Sequence, residues 1–243
     1  MKTQYLWAAT FVLGGTLTVA LAAPAAKSKS EPLGPITDEQ LKQSETNLKH
    51  IALAWHNYHD TNGHFPANEV SKDNKPLLSW RVQILPYIEE DTLFREFKLD
   101  EPWDSENNKK LIDKMPKIYA PIRAKADDGL TFYQVFTGKH GLIKSGEKRT
   151  FAAITDGTSN TLLCVEAAKP VAWTKPDDLV FDGKDVPAVG GLFDGRFHGA
   201  MCDGSVRRFK KEIAADLMRK LIDPQDGQVL DLNEGIDHGE EKK

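Results

Sequence analysis

The chain has 243 residues and a formal net charge of −4, from 32 basic and 36 acidic residues. This mild acidity gives no electrostatic footprint for nucleic acid, whose binding normally calls for a basic patch or stripe, so we expect no nucleic-acid partner. A chain of this length with 40% hydrophobic residues can bury a sizeable core without depending on disulfides.

Residues 1–22 have the three parts of a secretory signal peptide. Lys2 supplies the positive charge, residues 6–19 form an uncharged apolar stretch, and cleavage is predicted between Ala22 and Ala23. A retained membrane anchor is the alternative, but glycines and threonines interrupt the stretch before the roughly 20 apolar residues of a membrane span are reached. We therefore expect a secreted or periplasmic protein that contacts a membrane only if the signal is not cleaved.

A long helix from Asp38 to Thr61 is the first folded element that the sequence predicts. Apolar residues recur along it at spacings of three, four and seven, which is the pattern of one helix face. Thr37 is suited to cap its first turn and Gln40 completes a capping box, whereas Gly63 follows its last turn.

Two shorter helices are predicted next. Ser79 caps the first, which extends through Leu85, and Ser105 or Asp104 caps the second, over about residues 106–114. Both are expected to be short because a proline follows each of them closely.

Strands are predicted after these helices, where β-branched and aromatic residues become frequent. The predicted strands cover residues 131–138, 151–154 and 161–167. Asp203-Gly204 stands between two further short strands within residues 196–209, as in a type I′ hairpin, which requires positive φ at both central residues.

Helices come first and antiparallel strands afterwards, which predicts an α+β fold with a long N-terminal helix packed on an antiparallel β-sheet. A last amphipathic helix is predicted over residues 214–222. Residues 23–36 are predicted to be a flexible spacer, residues 37–230 a single domain, and residues 231–243 a disordered acidic tail.

His56 and His59 lie three residues apart on the predicted helix and could share a metal ion. The alternative is that both rings pack on neighbouring side chains or bond to the backbone. No third ligand follows at the spacing of a known zinc motif, since the sequence contains neither H-E-x-x-H nor a close cysteine pair.

Carboxylates crowd two predicted loops, Asp100, Glu101 and Asp104 in the first and Asp177, Asp178, Asp182 and Asp185 in the second. Calcium takes several oxygen ligands from such loops and is abundant outside the cell, so calcium is the one cofactor that the sequence suggests. The alternative is that these side chains are only solvated, since the EF-hand pattern is absent from the sequence.

The chain contains two cysteines, Cys164 and Cys202. In an oxidising compartment they could form a disulfide. The alternative is a pair of buried thiols that act as small apolar core residues. The sequence leaves both alternatives open.

No catalytic residue is predicted. Ser145 begins an S-x-x-K pattern like that of serine acyl enzymes, but no helix presents the serine, so chance explains the match better. The sequence has no G-x-S-x-G, phosphate-binding or dinucleotide-binding pattern. Trp55, Trp80, Trp103 and Trp173 would suit a carbohydrate site, but three of them lie in apolar stretches that are typical of a core.

Five stretches of the sequence occur in the order known from one family: NLKHIALAWHNYHDTNGHFPAN, LLSWRVQILPYIEE, DEPWDSENNKKLIDKMPKIY, TDGTSNTLLCVEA and CDGSVRRF. Over residues 41–222 the chain resembles the planctomycete family known as domain of unknown function 1559, which also carries a bacterial solute-binding name. The family is described as pilin-like and related to the pseudopilins of type II secretion, so the resemblance implies a pilin-like fold.

Three features depart from the family pattern. Pilin-like members begin with a Gly-Phe-Thr-Leu-x-Glu prepilin signal, whose apolar half-helix stays in the mature protein and packs the filament core, and this sequence has no such signal. Phe193 stands ten positions before Asp203, where the family has a histidine, and Ala120-Pro121 replaces a common Cys-Pro pair. We therefore expect a globular relative that lacks the main filament contact.

The leading hypothesis is a secreted, non-enzymatic, pilin-like protein with a structural or interaction role in the periplasm or cell envelope. Its expected partner is an envelope protein or a polysaccharide. The alternative is an extracellular module that binds a small solute or glycan, with or without calcium. A hydrolase is the third hypothesis and has the least support from the sequence.

Overall fold

The computed structural model of the protein describes residues 34–73, 75–123, 129–144 and 147–237. The predicted signal peptide, its cleavage site at Ala22 and Ala23, and the S-x-x-K serine Ser145 lie outside the described residues. The described part of the chain belongs to one compact unit.

The long helix α1 spans Asp38–Asn62, one residue beyond the predicted end. Gln40 N donates a hydrogen bond to Thr37 Oγ1 (3.2 Å), and Thr37 N donates one to Gln40 Oε1 (3.1 Å), which confirms the predicted capping box. Gly63 follows the helix at φ 74°, in the left-handed region that glycine adopts without strain.

Strands in the described part of the chain are β1 (Leu130–Gln134), β2 (Phe136–Thr137), β3 (Leu162–Ala172), β4 (Leu179–Val180), β5 (Phe197–Met201) and β6 (Val206–Phe209). The main sheet has the order β1-β3-β5-β6, and all neighbours in it are antiparallel. β2 and β4 form a separate parallel pair. The predicted α+β class, with a long N-terminal helix on an antiparallel sheet, is confirmed.

One face of α1 is buried and contacts β3, β5 and β6. Leu48, Ile51 and Trp55 on this face are fully excluded from solvent, as the apolar spacing predicts. Two polar side chains, Ser44 and Asn47, are also buried there. Because a buried polar group needs a hydrogen-bond partner, these two residues show where the helix meets polar groups of the sheet.

Shorter α-helices of the described ranges are α2 (Trp80–Gln83), α3 (Asp91–Glu96) and α4 (Ala215–Ile222). Ser79 caps α2 as predicted, by accepting a hydrogen bond from Arg81 N. The helix predicted over residues 106–114 is a 3-10 helix at Asn108–Lys114, and the Ser105 hydroxyl accepts from an N–H of its first turn at 3.1 Å. No helix among the described residues has both the length and the apolar character that a membrane crossing requires.

The strand predicted at residues 151–154 is wrong. This segment forms a 3-10 turn, because the N–H groups at its end bond back to carbonyls three residues earlier rather than to a neighbouring strand. The aromatic ring of Phe151, part of the pattern that suggested a strand, packs against α1 through His56 and His59.

β5 and β6 form the predicted hairpin, but the predicted type I′ turn is wrong. Gly204 has a φ of 84°, whereas Asp203 has no positive φ. Gly204 N donates to Met201 O (3.0 Å) and Met201 N donates to Ser205 O (2.7 Å), as in a type I turn followed by a left-handed glycine. The Asp203 carboxylate accepts a hydrogen bond from Ser205 N (2.9 Å), which stabilises this alternative turn.

The fold extends beyond the boundary predicted at Asp231. Leu232–Glu234 form a 3-10 turn, and Ile236 forms a β-bridge with Phe209 of β6. Asp237 N then donates to Arg208 O at 2.8 Å. The predicted start of the disordered tail is therefore too early, because these residues pair with the edge strand of the main sheet.

Candidate functional site

A groove of about 620 Å³ lies beside α1. Leu53, Ile88, Met115 and Ile118 supply apolar surface to it. Leu53 projects from α1 and is 58% exposed, although it is large and apolar. Covering such a side chain with another apolar group is favourable, because it removes apolar surface from water.

Charged side chains of both signs border this groove. Glu89 and Glu90 come from the segment that follows the 3-10 turn after α2, whereas Lys114 and Lys117 come from the end of the later 3-10 helix and the turn beyond it. Lys114 is paired with Glu96 at 2.5 Å. An apolar floor between charges of opposite sign can both bind and orient a partner, because the floor contributes burial and the charges select an orientation.

A second feature is a polar cluster buried between α1 and the sheet. Ser44 of α1 and Glu166 of β3 are completely buried, and His198 of β5 is 2% exposed. The Ser44 hydroxyl donates to Glu166 Oε1 and lies 3.1 Å from His198 Nδ1. Glu166 Oε2 accepts from His198 N (2.9 Å) and lies 3.2 Å from His198 Nδ1.

The serine, histidine and glutamate of this cluster do not have the geometry of a catalytic triad. In a triad the serine and the acid contact opposite ring nitrogens, whereas Ser44 and Glu166 both contact Nδ1 of His198. The Ser44 hydroxyl is also committed to the carboxylate of Glu166. Phe193, at the position where the family has a histidine, is buried with its ring centroid 5.4 Å from that of His198.

The cluster was not anticipated from the sequence. Ser44 and Glu166 are 122 positions apart, and Ser44 and His198 are 154 apart, so no local spacing links them. The one available signal is a serine on the apolar face of the predicted helix, which implies a polar partner elsewhere in the fold.

His56 and His59, the weaker metal candidates, both pack against Phe151. The His56 ring stacks on Phe151 and the His59 ring meets it edge-on, each with its centroid 4.6 Å from that of the phenylalanine. His56 Nε2 also lies 3.0 Å from the carbonyl oxygen of Cys202. Across the described ranges, no group of three or more His, Cys, Asp and Glu side chains is placed so that it could hold a metal ion.

The first acidic loop, which contains Asp100, Glu101 and Asp104, is organised by the completely buried side chain of Asn108. Asn108 Nδ2 donates to the carbonyl oxygens of Lys98 (2.9 Å), Glu101 (3.2 Å) and Pro102 (3.1 Å). These carbonyl oxygens would otherwise be available as ligands for a cation in this loop. Hydrogen bonds from Ser105 and Lys98 lower the pKa of Glu101.

The second acidic loop divides its carboxylates between the core and the surface. The side chain of Asp178 is completely buried in an ion pair with Arg81 (2.7 Å). Asp182 is on the surface, where its carboxylate accepts from Lys184 N at 3.0 Å, and this bond lowers its pKa. Asp185, the other predicted ligand, follows in the same surface turn, so the structure separates Asp178 from Asp182 and Asp185.

Both cysteines are buried free thiols. Cys164 lies in β3 opposite Ala200 of β5, and Cys202 immediately follows β5, where its N–H donates to Thr161 O (2.9 Å). Burial raises the pKa of both thiols above the ordinary value. A raised pKa disfavours the thiolate, which is the reactive and metal-binding form.

The four tryptophans within the described residues do not form an aromatic platform. Trp55, Trp80 and Trp173 are completely buried in the core, as their apolar sequence surroundings suggest. Trp103 is half-buried beneath Lys175, whose ammonium lies 5.8 Å from the ring centroid. Sugar rings stack on exposed aromatic faces, so these side chains give no support to a carbohydrate site.

Comparison with known proteins gives one family match. No curated protein and no solved structure matches the chain. Residues 42–123 match the model of the family SBP_bac_10, described as "Protein of unknown function (DUF1559)". This segment includes all the residues that line the groove beside α1. The match supports the resemblance to the domain of unknown function 1559 over this part of the chain.

Proposed function

We propose that this chain is an exported, non-enzymatic protein with a pilin-like scaffold and an interaction role in the periplasm or cell envelope. Its partner is a segment of an envelope protein that binds in the groove beside α1. The observation that carries this proposal is the exposure of Leu53 (58%) within a groove that is apolar at its floor and charged at its rim.

The composition of the groove favours a polypeptide over a polysaccharide. Leu53, Met115 and Ile118 present aliphatic and thioether surface, which packs on apolar side chains of a partner. Among the residues that line the groove, Tyr87 is the single Phe, Tyr or Trp. Glycan recognition depends on exposed aromatic faces, and the tryptophans of the described core are buried elsewhere.

The non-enzymatic part of the proposal is supported by the geometry of the buried polar cluster. A serine nucleophile needs a base that accepts its proton and an open side from which substrate approaches. The Ser44 hydroxyl is completely buried and is bonded to Glu166. The Ser44 hydroxyl is therefore held inside the fold and is not presented to a substrate.

Site-specific photo-crosslinking in the native cell tests the interaction role. A photoreactive amino acid replaces Leu53 in the groove, and a matched variant carries it at Val229, which is 91% exposed and outside the groove. We expect one adduct of discrete mass from position 53 and none from position 229. The additional substitution Met115→Glu should abolish the adduct, because it places a charge on the apolar floor. Equal adducts from both positions would reject the groove as the binding site.

A small solute is the second candidate ligand. The groove volume of about 620 Å³ is within the range of small-molecule sites, and the matched family carries a solute-binding name. A thermal-shift panel of solutes, each with and without Ca²⁺, tests this alternative. A solute that raises the Tm of the wild type but not of Leu53→Glu supports it, whereas a flat panel together with a protein adduct supports the interaction role.

A further inference from the structure

A small polar pocket of about 200 Å³ lies where α1 passes over the edge of the main sheet. It is separate from the groove beside α1, and its lining combines acidic and basic side chains: Glu45, His198, Val206, Arg207, Arg208 and Asp237. No predicted site residue is among them. The pocket is smaller than the roughly 300 Å³ at which drug-sized sites begin, so it suits an inorganic ion or a single terminal group.

His198 and Arg208 enter this pocket from adjacent strands. They are direct cross-strand partners in the β5–β6 ladder, so their side chains are on the same face of the sheet. His198 Nε2 and Arg208 Nε are both buried, and neither has a hydrogen-bond partner among the described residues. A buried unpaired polar atom is costly, so two of them beside one polar pocket indicate that something else satisfies them.

The contacts of His198 divide between its two ring nitrogens. Nδ1 lies 3.2 Å from Glu166 Oε2 and 3.1 Å from the Ser44 hydroxyl, whereas the buried Nε2 has no partner among the described residues. For Nε2 to donate a hydrogen bond while Nδ1–H is directed to Glu166, the ring must be an imidazolium, in which both nitrogens carry hydrogen. An anion bound beside Nε2 would favour this charged form.

The acidic residues of the pocket have cations of their own. Glu45 pairs with Lys49 at 2.6 Å, and Asp237 lies 3.8 Å from Arg196. Among the ion pairs of the described residues, none involves Arg208. The hydrogen bond from Lys49 chiefly lowers the pKa of Glu45, and the charges of His198 and Arg208 lower it further, which agrees with a positive potential at this wall.

We infer that this pocket binds a tetrahedral oxyanion, namely a phosphate ion or the terminal phosphate of a larger molecule. One oxygen accepts from His198 Nε2–H and others accept from the Arg208 guanidinium. Donors from two strands suit the diverging oxygens of a phosphate, whereas a planar carboxylate is matched by one arginine alone.

Calorimetric titration of the full chain with inorganic phosphate tests the site. Phosphate also stabilises proteins as a salt, without binding to a specific site. The ionic strength is therefore held constant with chloride, so that this general effect is not mistaken for binding. We expect saturable binding of one phosphate per chain, and a loss of affinity of at least about tenfold in Arg208→Gln. Arg208→Lys, which keeps the charge but not the planar donor group, should retain part of the affinity.

Two further variants keep the test decisive. Arg95→Gln is the matched control, since Arg95 is 76% exposed, paired with Asp91 and remote from the pocket lining, and it should bind phosphate as the wild type does. His198→Gln tests the second donor, with a circular-dichroism melt to show that the variant is folded. Unchanged affinity in folded Arg208→Gln, or no saturable binding at about 10 mM phosphate, would overturn the inference.

Glycerol phosphate is titrated in parallel to identify the source of the oxyanion. If glycerol phosphate binds with an affinity similar to that of inorganic phosphate, the pocket accepts the terminal group of a larger molecule. Binding of inorganic phosphate alone indicates a site for the free ion. Both results support the pocket as an oxyanion site and differ only in the ligand that carries the phosphate.

Discussion

The guanidinium of Arg81 and the carboxylate of Asp178 form an ion pair 2.7 Å long in which both side chains are completely buried. Asp178 also accepts hydrogen bonds from Asn68 Nδ2 (2.8 Å), Trp80 Nε1 (3.2 Å) and Val135 N (3.1 Å). Arg81 Nε in turn donates to the backbone of β1 at 2.9 Å. The pair thus joins α2, β1 and the loop before β4 through a network in which each charge is compensated.

Removing one partner of this pair should cost far more stability than removing both. Asp178→Ala leaves the Arg81 charge buried without compensation, and we expect a loss of about 3–5 kcal/mol in the free energy of unfolding. The double variant Arg81→Met/Asp178→Leu should recover part of that loss. Denaturant unfolding checks both values, and Asp91→Ala, which breaks an exposed pair with Arg95, should cost less than about 1 kcal/mol. An Asp178→Ala cost as small as that of Asp91→Ala would contradict the prediction.

The side chain of Asn108 should be essential for the acidic loop. Asn108→Ala removes three donated hydrogen bonds, which we expect to cost about 2–4 kcal/mol. Asn108→Asp should cost more, because a carboxylate would face the carbonyl oxygens of Lys98, Glu101 and Pro102. Asn107→Ala is the matched control: Asn107 is half-buried and its bond to Glu96 O is exposed to solvent, so its loss should cost less than about 1 kcal/mol. Thermal or denaturant unfolding of the three variants measures the difference.

The buried thiols of Cys164 and Cys202 should make stability depend on pH in the alkaline range. An unfolded cysteine loses its proton near pH ~8.5, whereas burial raises the pKa of both thiols in the folded chain. Above that pH the unfolded state binds fewer protons than the folded state, so the free energy of unfolding falls as pH rises. The expected slope is up to about 1.4 kcal/mol per pH unit for each thiol.

The double variant Cys164→Ala/Cys202→Ala isolates this effect. Unfolding curves of the variant and the wild type between about pH 8.5 and 10 should differ in slope, with the wild type steeper. Absolute stabilities are not compared, because the smaller alanines also leave cavities. Equal slopes would indicate that no thiol titrates on unfolding, as expected for a disulfide between the two residues.

Gly63 should be required for the end of α1 because of its backbone conformation alone. Its φ is 74° and no atom lies within 4 Å of the position that a Cβ would take, so a side chain there meets strain but no clash. We expect Gly63→Ala to cost about 1–2 kcal/mol, and Gly63→Asn to cost less because asparagine tolerates this conformation better. Gly34→Ala is the control, since Gly34 is equally uncrowded but has no positive φ, and its cost should be near zero. Equal costs at the two positions would contradict this explanation.

The elements predicted correctly are those that depend on residues close to one another in the sequence. Thr37 and Gln40 cap α1 through bonds across three positions, and Gly63 ends it through its own φ. The segment at residues 151–154 was mispredicted because a short run of apolar residues suits a strand or a 3-10 turn equally well. In the structure Phe151 packs against His59 of α1, a contact between distant segments that local sequence cannot reveal.

Sequence reasoning alone was sufficient for the α+β class, the long helix and the position of the β5–β6 hairpin, because periodicity and turn chemistry act within a few residues. The candidate sites needed the tertiary structure. Leu53 becomes part of a groove only because the segment around Met115 packs beside it. His198 and Arg208 become neighbours only through the register of β5 and β6. Sites of this kind depend on how distant segments pack, and no local spacing encodes that packing.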